Sequence, residues 1–183
     1  MKIRITSILF FLLPVLCFAQ GNKGKVEACA PEKEGKICYT DDIKMTGATQ
    51  DGLYNAISEW AKEEYGKDVF ISSVSCNKGR KTILVSSRVE LLLNDTDKTI
   101  LKYKMYISCF DNNYKVEVKN LTYQYDPDKG TRYRSYPAES VIANNGKENK
   151  VPSIKDPSLF CNATFFFVEG LLDDVYEAAK RYN

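Results

Sequence analysis

Along residues 81–125 apolar and polar side chains alternate through three successive runs, each closed by a polar turn. Ile83, Val85, Val89, Leu91 and Leu93 share one parity against Thr82, Ser86, Arg88 and Glu90. Leu101, Tyr103, Met105, Ile107 and Cys109 do the same against Lys102, Lys104, Tyr106 and Ser108. Successive strand side chains point to opposite faces, so each run reads as a strand with one covered and one wet face. The turns at 94–97 and 111–113 are too short for a crossover, which makes neighbouring strands antiparallel. In the third run, 114–125, Tyr114, Val116 and Val118 point inward, but from Leu121 the apolar set becomes Leu121, Tyr123 and Tyr125. The parity flips near Asn120. One extra residue there, a bulge, exchanges the faces; a strand that stops and restarts does the same.

The rest of the chain supplies cover for that sheet. Ile37, Tyr39, Ile43 and Met45 alternate as a half-buried strand interrupted at Asp41. Gly47 turns the chain, Thr49 suits an N-cap, and residues 50–65 form a helix burying Leu53, Ile57, Trp60 and Ala61, with Gly66 at its stop. Residues 68–76, with Val69, Phe70, Ile71 and Val74, read as a further strand ending at the turn 77–79. Residues 126–155 carry Pro127, Gly130, Pro137, Gly146 and Pro152 without a sustained period, the mark of a long connection with room for a short hairpin. Asp156-Pro157 is a cap and first-turn signal for a helix over 157–181. Its apolar stripe is Phe160, Ala163, Phe167, Leu171, Val175 and Ala178, although 164–168 taken alone also suits a strand. The order strand, helix, four strands, helix predicts one two-layer α+β domain over 36–183, an antiparallel sheet with both helices on its apolar face.

The amino terminus bears on compartment. Lys2 and Arg4 precede an apolar run from Ile5 to Phe18, with Ala19 at the cut, so residues 1–19 read as a secretory signal and 20–35 as a flexible leader. The run is short for a membrane span, which needs roughly 20 residues, and no span is expected after cleavage. A lipid anchor on Cys17 is disfavoured by bulky Leu16. Cleavage takes two basic residues and no acid from a chain with 26 Lys plus Arg and 24 Asp plus Glu, leaving a formal charge of zero. A neutral exported protein gains little from a polyanion, so nucleic acid is not an expected partner. Five cysteines then remain, Cys29, Cys38, Cys76, Cys109 and Cys161, with at most two bridges and the pairing open, a Cys29–Cys38 bridge among the possibilities. No C-x-x-C spacing supports a zinc site, and neither a metal nor a cofactor is expected.

The run Ile37-Cys38-Tyr39, the segment from Gly47 to Tyr54 with Trp60 after it, and the alternating strands to Tyr125 resemble an exported family of Bacteroidetes-type bacteria known as domain of unknown function 4468. The resemblance implies a TBP-like fold and an exported address. It carries no activity and no catalytic positions, and likeness of fold imports no DNA binding.

Catalysis finds little support. The chain has no histidine, which removes the Ser-His-Asp and Cys-His systems and the commonest proton carrier near neutral pH. Asp41-Asp42 and Asp173-Asp174 are sequence neighbours whose side chains diverge on a strand or helix. Asp95 and Asp97 lack the Gly and Glu of a calcium loop. The recognition candidates are Tyr123, Tyr125, Arg132, Tyr133, Arg134 and Tyr136, because Tyr and Arg are enriched at binding hot spots. On the wet face, Arg88, Lys102, Lys104 and Tyr106 mix with Glu90 and Glu117, for which cross-strand pairing is the simpler account. The expected function is a non-catalytic exported domain, periplasmic or secreted, that binds a ligand or an envelope protein. An envelope structural or assembly component and a histidine-free enzyme are the alternatives.

Overall fold

Alternation along the central strands decides the layout of the computed structural model, which describes residues 29–126 and 133–182. Among the described residues seven strands occur: β1 (Glu32–Lys33), β2 (Lys36–Lys44), β3 (Ser73–Asn77), β4 (Thr82–Leu92), β5 (Lys98–Phe110), β6 (Asn113–Tyr125) and β7 (Arg134–Pro137). They form one antiparallel sheet in the order β1-β2-β6-β5-β4-β3, with β7 also paired to β6. Helix α1 (Gln50–Tyr65) follows β2, the single turn α2 (Ala138–Val141) follows β7, and α3 (Pro157–Ala179) comes last. This is the expected α+β architecture with two added strands.

Ile83, Val85, Leu101, Met105, Ile107, Val116 and Val118 are each at most 1% exposed, whereas Arg88, Lys102 and Lys104 between them face solvent. At about 1.5–3 kcal/mol per buried aliphatic side chain, those seven make the covered face the main source of stability. Leu53, Ile57 and Ala61 of α1 and Phe160, Val168, Leu171 and Val175 of α3 close the same core. The caps are as expected: Thr49 accepts from the Gly52 amide at 3.1 Å, and Asp156 accepts from the Ser158 amide at 3.1 Å. Asn120 adopts φ +58°, and the β5–β6 register shifts there, Lys102 facing Thr122 while Lys104 faces Lys119. That is the bulge expected from the parity flip, and it keeps Val118 and Leu121 on one face. On its other edge β6 pairs first with β2, over residues 113–119, and then with β7, over 122–125.

Several expectations are corrected. Only Ser73–Asn77 of the segment 68–76 is a strand. The Asp68 carboxylate accepts from the Phe70 amide at 2.9 Å and its carbonyl from Ile71 and Ser72 at 3.1 and 2.9 Å, which curls the backbone into a turn and leaves Val69 and Phe70 78% and 87% exposed. The described part of the connection 126–155 contains β7 and α2, and it is tied to the leader where Asn145 Oδ1 accepts from the Ala30 amide at 3.1 Å and the Asn144 amide donates to Glu32 Oε1 at 2.6 Å. Residues 164–168 are helical, and the buried stripe of α3 is rotated: Cys161, Thr164 and Val168 are buried while Ala163 and Phe167 are only half-buried. Within the leader, residues 29–35 are docked: β1 pairs with β2, and Cys29 is bonded to Cys161, 132 residues away. Cys38, Cys76 and Cys109 are free thiols. The signal segment 1–19 lies outside the described residues. Among the described residues no helix is long and apolar enough to cross a membrane.

Candidate functional site: the open face of the sheet

The tyrosine and arginine cluster does not form one surface. After the bulge, odd-numbered positions of β6 point at the helices, which sends Tyr123 and Tyr125 into the core, 0% and 9% exposed. The Tyr123 hydroxyl meets Thr164 Oγ1 at 2.7 Å and its ring packs edge-on against Phe160 at 5.1 Å; burial pushes its phenol far above the usual range. Tyr125 donates to Asp97 Oδ2 at 2.6 Å, and burial, helped by that carboxylate, pushes its phenol up to about 12. Tyr136 lies opposite Tyr123 in the β6–β7 ladder and is half-buried. Tyr133 and Arg134 alone are exposed, at the sheet's end, and Arg132 lies outside the described residues. Tyr123 and Tyr125 are therefore packing residues, a correction to their assignment as binding residues.

The carboxylate pairs behave as strand and helix geometry demands. Asp42 accepts from Asn113 Nδ2 at 3.0 Å on the outer face, while Asp41 points to the other side of β2 opposite Val116. Asp173 and Asp174 sit on the solvent side of α3, and burial followed by the charge of Glu64 raises Asp174. Among the described residues no three Cys, Asp or Glu side chains are grouped to hold a metal.

The uncovered face of the sheet differs from its simpler account. Some of its charges do pair: Lys98 reaches Glu90 at 2.8 Å, and Glu117 lies between Lys115 and Lys119 at 2.8 and 2.7 Å. Hydrogen bonds from those two lysines hold the Glu117 carboxyl down at about 2. Lys119 also sits over the Tyr106 ring, 4.4 Å from its centre. Arg88, Lys102 and Lys104, however, form no ion pair among the described residues. The register makes matters worse for them, setting Arg88 directly opposite Lys102 and Lys104 directly opposite Lys119. Like charges facing across a ladder are destabilising, by on the order of several tenths of a kcal/mol per pair.

Beside these cations the surface is hollowed. A hollow of about 320 Å³ is lined by Arg88, Lys102, Lys104, Ser86 and Asn120 together with Phe70 and Ile71, and it reaches Ser87 and Tyr103 of the opposite parity. The bulge residue Asn120 is part of the lining, and the Asp68 turn supplies its apolar side chains, Phe70 and Ile71. Sequence reasoning missed Phe70 and Ile71 by placing them on a strand. Their signal was present: Val69-Phe70-Ile71 has no polar alternate and directly follows Asp68, a turn former. A second cleft of about 500 Å³ opens on the helical side between Tyr65, Tyr103, Phe166, Phe167 and Asp174. There the two tyrosine hydroxyls meet at 3.4 Å.

No curated protein matches the chain. A family model described as a domain of unknown function (DUF4468) with TBP-like fold matches residues 39–124. A crystal structure of a TBP-like protein from Parabacteroides distasonis is similar over 83% of this chain and 97% of that one, with 59% identity and a TM-score of 0.81. A crystal structure of a DUF4468 family protein from Bacteroides ovatus shares the fold over 84% of this chain and 91% of that one, with a TM-score of 0.68 at 18% identity. With the family's pattern across its central strands and a close relative matched almost end to end, the chain belongs to the family described as domain of unknown function (DUF4468) with TBP-like fold.

Proposed function

We propose that this protein is an exported, non-catalytic binding module whose recognition surface is the open face of its sheet. The observation that carries the proposal is the alignment of Arg88 with Lys102 and of Lys104 with Lys119 beside the apolar side chains of Phe70 and Ile71. A fold that holds like charges in register gives up stability, and an anionic surface arriving from outside recovers it. Export is supported by the signal-like residues 1–19 and by the Cys29–Cys161 bond, since disulfides persist in oxidising compartments. The absence of histidine and the divergence of the carboxylate pairs support a role without catalysis.

The test is capture from a native envelope extract by the immobilised mature protein. Lys102→Glu with Lys104→Glu is expected to abolish capture while leaving the melting temperature within a few degrees, because both side chains are exposed. Full capture by that folded double variant would eliminate the open face. The exposed pair Tyr133 and Arg134 supports a second reading, recognition at the end of the sheet. Tyr133→Ala with Arg134→Ala separates the two: loss of capture by this variant alone moves the site to β7.

A further inference from the structure

We infer that the occupant of the open face is an acidic polypeptide segment carrying a large apolar side chain among its carboxylates. This rests on the proposal that the open face is the recognition surface, and it adds the chemistry of the partner.

Charge sets the sign of the partner. The outward residues of β4, β5 and β6 include Arg88, Lys102, Lys104, Lys115 and Lys119 against Glu90 and Glu117, so the face is cationic although the expected mature chain balances to zero. Glu117 is already occupied by Lys115 and Lys119, and Glu90 by Lys98. The three cations nearest the hollow keep their full demand for an external anion. Shape sets the kind of partner. The hollow, about 320 Å³, is open along the sheet, so it covers one side of an occupant rather than enclosing it as ligand pockets do, which suits one side chain of a docked chain. Phe70 and Ile71 are part of its lining, 87% and 45% exposed, where they offer an aromatic and aliphatic contact beside the cations. An apolar anchor ringed by charges is the arrangement of a protein–protein hot spot. A lone anion would have no use for those apolar contacts.

The experiment titrates the mature protein with a synthetic peptide of alternating Glu and Gly around a central Leu, followed by calorimetry and backbone amide shifts. A second peptide has Ala in place of that Leu. Saturable binding with shifts on Arg88, Lys102 and Lys104 is expected, weakening at least roughly tenfold when salt is raised severalfold. Lys102→Gln with Lys104→Gln is expected to weaken both peptides about tenfold or more. Phe70→Ser is expected to weaken the Leu peptide and to leave the Ala peptide unchanged, which a general loss of charge or fold would not do. Failure of the Leu peptide to bind, equal effects of Phe70→Ser on both peptides, or binding confined to anionic lipid vesicles or polygalacturonate would each overturn the inference. Should the peptides fail while the Lys102→Glu, Lys104→Glu variant still loses envelope capture, the partner class falls and the open face stands. Should capture survive in that variant, the face itself falls.

Discussion

Replacing Tyr123 by Phe removes one oxygen from a site where neither Tyr123 nor Thr164 has any exposed surface and the two hydroxyls are 2.7 Å apart. The phenol ring stays against Phe160, so packing is conserved and the loss is that of the hydrogen bond. A buried hydroxyl left without its partner costs about 1–3 kcal/mol. Thr164 lies in the interior of α3, where its hydroxyl can turn to the carbonyl four residues earlier, which puts Tyr123→Phe at about 1–2 kcal/mol. Thr164→Val leaves the phenol oxygen stranded, at a similar or larger cost. In the double variant both polar groups are gone, so its cost is expected to fall short of the sum by about 1 kcal/mol. Urea denaturation followed by circular dichroism and by the fluorescence of Trp60, the chain's single tryptophan, measures all four proteins. Additive losses, agreeing within about 0.3 kcal/mol, would refute a direct bond between the two side chains. Loss of envelope capture by Tyr123→Phe at unchanged stability would return Tyr123 to a binding surface.

Three further expectations concern stability. Changing both Cys29 and Cys161 to Ser is expected to cost about 2–4 kcal/mol in the unfolding free energy from denaturant titration, below the chain-entropy ceiling of about 5 kcal/mol for a 132-residue separation; a change under about 1 kcal/mol would show that the bridge is incidental. Glu117 titrates lower in the fold, at about 2, than in the unfolded chain, so its contribution is complete above the ordinary carboxylate range and fades as pH falls from that range towards 2. Because the group lies on the open face, the effect is discounted to a few tenths of a kcal/mol: Glu117→Gln should narrow the stability gap between neutral and acid pH by that amount, and an unchanged gap counts against the ion pairs. Asn120→Val should cost about 1–3 kcal/mol, since a β-branched residue tolerates φ +58° poorly, whereas Asn120→Gly should be near neutral; thermal melts that rank the two the other way would remove the strain at the bulge.

Local periodicity carried the strand meander into view, and the change of parity at Asn120 even located the bulge. Thr49 and Asp156 were readable because a capping side chain bonds within its own first turn. What stayed hidden depends on distant partners. β7 is four residues long, and what makes it a strand is its ladder with residues 122–125 of β6. The Cys29–Cys161 bond joins segments with nothing between them to mark the pairing. The site was half legible: Arg88, Lys102 and Lys104 are outward by alternation alone, but that each of them opposes another cation follows from the register. Tyr and Arg composition drew attention instead to residues 123–136, where the same alternation turns two of the rings inward.

Strand β6 changes its neighbour from β2 to β7 partway along one edge while β5 accompanies it on the other. Sliding it by one position would break three ladders at once and drive Val116, Val118, Leu121 and Tyr123 into water. The alignment of the outward side chains is thus dictated by what lies beneath them, not by their own chemistry. A descendant of this chain could exchange lysine for glutamate or serine on the exposed positions, one by one, and acquire a different taste in partners on an unaltered scaffold.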